Sequence, residues 1–158
     1  MRSFHDTPEL GEYVGKIQHE IKKMEGYPFS CGLIAIDIAK ILRDSTDDIE
    51  DLTVVDLRGK GAENSSVRPP LVPKRFGGVV KWGAHLICVG DETAFDPILD
   101  EPAPFDAYMD ETFTAKPDVF QTFEGLELEE LIARRSLVEQ IISKNAPTDV
   151  IAQPPAQS

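Results

Sequence analysis

Cysteine is nearly missing from this chain: among 158 residues there are two, Cys31 and Cys88, too few for a disulfide scaffold and not spaced as paired metal ligands. A reducing compartment is the expectation. Positive charge is short as well, with sixteen Lys and Arg against twenty-eight Asp and Glu, and the net charge of −12 repels phosphate backbones. Nucleic acid is therefore not an expected partner, and the basic pairs Lys22-Lys23 and Lys74-Arg75 read as isolated, solvated surface. No apolar run is long enough to span a bilayer, and Met1-Arg2-Ser3-Phe4-His5-Asp6 lacks the apolar stretch of a signal peptide. The expectation is a soluble chain without membrane contact, cytoplasmic unless a specialised secretion route delivers it. No internal repeat is visible.

What is present suffices for one core. With 41% hydrophobic residues, a single domain is expected over residues 1–145, and residues 146–158, rich in Pro, Gln and Ala, read as a flexible tail. The first helix opens at Thr7-Pro8-Glu9, with Thr7 as N-cap and Pro8 where a missing N–H costs nothing. Leu10, Val14, Ile17, Ile21 and Met24 recur at helical spacing, so one face of residues 8–24 should pack inward. Pro28 biases Tyr27 away from helical geometry and separates this helix from the next.

The second helix carries the most informative residue. Ser30 is a good N-cap, which puts Cys31 at the first helical position, and the positive helix end there favours thiolate over thiol. Gly32 adds no side chain beside it, leaving room for a substrate carbonyl to approach the first-turn amides. From Leu33 to Ile38 the helix is apolar on nearly every side and should run through the core, with Asp37 and Lys40 on its wet face.

Residues 52–57 read as a strand, followed by a long irregular stretch to Pro73 that could wall a cleft. Ala84 to Val89 and Thr93 to Asp96 then read as a hairpin turning at Gly90-Asp91. With that loop, Val89 pairs with Glu92, Ile87 with Ala94 and His85 with Asp96, giving the histidine a carboxylate about 5 Å away between Cβ atoms. Cys88 falls on the opposite face, as a core residue. Phe105 to Phe113 reads as a short helix and Glu127 to Lys144 as an amphipathic one. Asp100, Glu101, Asp106, Asp110 and Glu111 lack the pattern of a calcium loop and read as solvated. His5 and His19 take a structural reading.

Cys31, His85 and Asp96 together make a thiol nucleophile, its base and the group that orients the base. The backbone N–H groups of Cys31 and Gly32 are placed to hold an oxyanion, with Gln18 as the candidate side-chain donor. Such chemistry needs neither metal nor organic cofactor, and its substrate is a protein or peptide.

The order and setting of these residues resemble the papain-like cysteine-enzyme fold, and most of all the small bacterial papain-fold domains of toxins and effectors. The matching segments are Ser30-Cys31-Gly32 opening a helix and Gly83-Ala84-His85-Leu86-Ile87-Cys88-Val89-Gly90 followed by Ala94-Phe95-Asp96-Pro97, within residues 28–113. The resemblance implies a Cys31-His85-Asp96 triad for peptide cleavage or glutamine deamidation, on an α+β fold of N-terminal helices packed on a small antiparallel sheet. Just before the cysteine, Glu25-Gly26-Tyr27 stands where papain proteases carry their oxyanion glutamine. Transglutaminase-like acyltransferases share the Cys-His-Asp order. Readings from other classes are an acidic, non-catalytic interaction protein, a Cys31–Cys88 disulfide, and a metal site built on Cys31, His85 and Asp96.

Overall fold

Thr7 caps the first helix as its position demands: its hydroxyl accepts from the Leu10 N–H at 3.3 Å, and Pro8 follows it. The computed structural model describes residues 2–24, 31–46, 48–64 and 66–145, with the side chains of Cys31 and residues 138–145 outside that description. The Ser30 cap, the Pro28 boundary and the 146–158 tail fall outside the described residues. Within them the chain is α+β, with helices α1 (Pro8–Met24), α2 (Cys31–Ser45), α3 (Phe105–Thr112) and α4 (Gly125–Asn145). Strands β1 (Thr53–Arg58), β2 (His85–Gly90), β3 (Thr93–Phe95), β4 (Ala103–Pro104) and β5 (Asp118–Glu124) form one antiparallel sheet in the order β4-β3-β2-β1-β5. No described helix is long and apolar enough to cross a membrane.

The helical periodicity of α1 buries Leu10, Val14, Ile17 and Ile21, but Met24, expected on the same face, is exposed because the last turn runs past the core. On α2, Ile34, Ala35, Ile38, Ala39 and Leu42 are buried. Asp37 does not mark a wet face: it accepts from the Tyr13 hydroxyl at 2.8 Å and pairs with Arg135 at 3.2 Å, so one carboxylate ties α1, α2 and α4 together.

Two layers cover the sheet. Cys88 and Phe95 are register partners and share a face, and Phe95 lines a cleft with Leu10 of α1 and Leu42 of α2. That face therefore belongs to α1 and α2, and α4 joins them through Leu128 beside Leu42 and the Arg43–Glu129 ion pair. By alternation His85, Ile87 and Val89 turn the other way, where Val89 lines a cleft with Phe105 and Asp106 of α3. The irregular stretch before β2 is pinned to this side, with Leu71 paired to Trp82 and Pro73 to Phe113.

The hairpin departs from the expected register. Its turn is Asp91-Glu92, both at positive φ (51° and 58°), and the pairs are Gly90↔Thr93, Val89↔Ala94 and Cys88↔Phe95. Gly90 belongs to the strand because a Cβ there would lie 2.6 Å from Ile49 Cγ2, so its glycine serves a close approach rather than a turn. Moving the turn by one residue shifts the pairing by two, which preserves the side each residue faces. Asp96 is thus diagonal to His85, not opposite it, and still on the same side.

Candidate active site

Helix α2 brings its first residue to one particular end of the sheet. Near its C-terminus, Leu42 and Thr46 share a cleft with Ile49, and Ile49 abuts Gly90, the last residue of β2. The helix packs along β2. Fifteen residues of helix run roughly 22 Å, and six of strand about 20 Å, so the Cys31 end of α2 lies toward the end where His85 opens β2. The cleft beside Leu42 is therefore at the far end of the helix from the cysteine.

At that end, His85 Nε2 lies 2.8 Å from Asp96 Oδ2, and both residues are 1% exposed. The carboxylate is held from three directions. Tyr108 of α3 donates its hydroxyl to Oδ2 at 2.5 Å, and the Ile98 N–H donates to Oδ1 at 3.0 Å. Burial pushes the Asp96 carboxyl up, but the charge and hydrogen bond of His85, with those of Tyr108 and Ile98, outweigh it and hold the group below its ordinary range. An ionised Asp96 only accepts, so Nε2 carries the hydrogen of this contact, and Nδ1 is the ring nitrogen left to exchange a proton.

The imidazole is also clamped by rings. Trp82 stacks on it, centroids 4.4 Å apart and planes 17° from parallel, and Phe113 meets it edge-on at 6.2 Å. Tyr108 packs edge-on against Phe113 at 6.0 Å. A ring so enclosed keeps one orientation, which is what a directional proton acceptor requires.

His85 and Asp96 thus meet. The thiol of Cys31 is outside the described residues; its backbone opens α2, with Gly32 half-buried behind it. Gln18 is engaged elsewhere, since its amide donates to the Leu99 carbonyl at 2.8 Å and makes it a strut between α1 and the loop that follows Asp96. Cys88 is a free, fully buried cysteine in this structure, and burial raises its thiol far above the ordinary range. Among the described residues no three His, Cys, Asp or Glu side chains gather as metal ligands. His5 and His19 are exposed. Trp82 and Tyr108 were not legible as part of the site, since neither lies at a spacing that marks it; only the aromatic-acid company of a buried histidine reveals them. Comparison with protein-family models, curated proteins and solved structures gives no match.

Proposed function

We propose that the chain is a papain-like, thiol-dependent hydrolase acting on an amide carbonyl, either a peptide bond or a glutamine side chain. The observation that carries this reading is the 2.8 Å contact of His85 Nε2 with Asp96 Oδ2, at the end of the sheet toward which Cys31 opens its helix. His85 Nδ1 takes the Cys31 proton, and Sγ bonds to the carbonyl carbon while the first-turn amides of Cys31 and Gly32 receive the oxyanion. Collapse breaks the C–N bond, and the departing nitrogen leaves as amine or ammonia with the imidazolium proton. Water then attacks the thioester, gives its proton to Nδ1, and the C–S bond breaks to release the acid and restore the thiol. With an amine in place of that water the same site would be a transglutaminase-like acyltransferase.

Because α2 and α3 cover opposite faces, this reading requires thiol and ring to meet round the end of the sheet, and His85, the first residue of β2, is at that end. The direct test is a peptidyl vinyl sulfone probe. Labelling of the wild-type chain that is lost in both Cys31→Ala and His85→Ala supports the reading, and labelling indifferent to His85 overturns it.

A second reading has its own observation. Both members of the pair are 1% exposed, and a satisfied buried network of this kind also serves to fix a fold. In that reading the protein is a non-catalytic, acidic interaction module, and Cys31→Ser leaves its function intact.

A further inference from the structure

One member of each basic pair that looks isolated in the sequence lines the same pocket in the fold. Lys22, on the last turn of α1, and Arg75, in the short 3₁₀ turn Lys74–Phe76, line one pocket of about 430 Å3 floored by Ile21, Phe76 and Val80, with Val79 at its rim. Lys22 and Arg75 are both exposed, and Val79 is 82% exposed. The local charge is unlike the rest of the chain: from Asn64 to Gly90 there is no acidic residue, although the whole protein carries twenty-eight.

This pocket is coupled to the histidine by two routes. Phe76 packs edge-on against Trp82 at 6.4 Å, and Trp82 stacks on His85. Arg75 donates to the Ile98 carbonyl at 2.7 Å, and the N–H of the same Ile98 holds Asp96. Anything bound on Phe76 is separated from the imidazole by two rings, Phe76 and Trp82.

We infer that this pocket is a recognition subsite for an acidic peptide segment, an apolar side chain seated on Ile21, Phe76 and Val80 with flanking carboxylates facing Lys22 and Arg75. The inference rests on the hydrolase reading for its meaning as a substrate site, but its binding chemistry stands separately. A cationic rim on a strongly acidic protein also steers acidic chains to this one place and turns them from the remaining surface.

The test uses the full chain with Cys31→Ala, so that nothing is turned over, and fluorescence anisotropy of a fluorescein-labelled heptapeptide whose central Leu is flanked by Asp. The expected result is binding about fivefold tighter than for the same peptide with Asn in place of Asp, weakening with added salt. A peptide with Ser for the central Leu binds more weakly still. Lys22→Glu and Val79→Asp, both at exposed positions, each lower affinity about fivefold with the melting temperature unchanged. Equal binding of the Asp and Asn peptides, or affinity untouched by Lys22→Glu, overturns the inference. Alkylation of Cys31 in the unsubstituted chain keeps the two claims apart: an inert thiol with charge-selective binding removes the hydrolase and leaves the pocket, and a reactive thiol with charge-indifferent binding does the reverse.

Discussion

Tyr108 gives its hydroxyl hydrogen to Asp96 Oδ2 at 2.5 Å, the same oxygen that holds His85. A buried carboxylate that loses one of its donors is left less well solvated than before. Tyr108→Phe is therefore expected to lower unfolding free energy by about 1–2 kcal/mol in urea at neutral pH. As a positioning residue, Tyr108 should also act on the pH profile of Cys31 alkylation, and the Phe variant should move that profile. An unchanged urea midpoint would contradict the bond.

Acid should dissolve the pair in a stated direction. The Asp96 carboxyl is held below its ordinary range in the folded chain, chiefly by His85 once the opposing cost of burial is met. Its contribution to stability is therefore complete above the unfolded value of about 3.9 and is lost as pH falls through the lower folded value. Compared with an Asp96→Asn variant, which keeps the histidine, the wild-type chain should lose advantage as pH falls from about 5 to about 3. Urea midpoints measured at pH 5, 4 and 3 check this. An advantage that grows over that interval would contradict it.

The chain's one tryptophan lies flat on the His85 ring, so it reports on that ring without a label. Emission of Trp82 should shift in His85→Gln, which replaces the ring stacked on the indole, and an unchanged spectrum would contradict the stacking. Trp82→Ala, which empties the space over the ring, is expected to cost about 3–5 kcal/mol.

At the hairpin, two residues on either side of Asp91 should respond with opposite signs. Gly90→Ala drives a methyl to 2.6 Å from Ile49 Cγ2 and should destabilise the fold by about 1–3 kcal/mol. Glu92→Gly relieves a positive φ of 58° and should stabilise by up to about 1 kcal/mol. Thermal melts of both variants check the pair.

Local signals carried α1, α2, β1 and the β2–β3 hairpin, because Thr7-Pro8, the apolar spacing of Leu10 to Ile21 and the alternation around His85 act within a few residues of themselves. Where tertiary contact decides, the sequence is silent or misleads. Gly90 resembles a turn glycine, yet Ile49 is what requires it. Asp37 resembles a solvated residue, yet Tyr13 and Arg135 reach it from distant helices. β5 has no buried stripe to announce it, since most of its side chains are exposed at the sheet's edge. The His85–Asp96 pairing was legible because parity along a strand survives a shift of two; Trp82 and Tyr108 were not, because only the folded chain sets them against the pair.

The central claim turns on the state of one thiol, and the chain is built so that it can be read alone. Cys88 is fully buried and its thiol is kept protonated by burial, so iodoacetamide applied to the folded protein should mark Cys31 only, with mass spectrometry placing the label. The measurement is the rate of that alkylation against pH, in the wild-type chain and in His85→Ala. The account predicts fast labelling that persists well below the ordinary thiol value of about 8.5 and is lost with His85→Ala. Slow labelling with an ordinary thiol profile, the same with or without His85, would contradict it and leave Cys31 a structural residue.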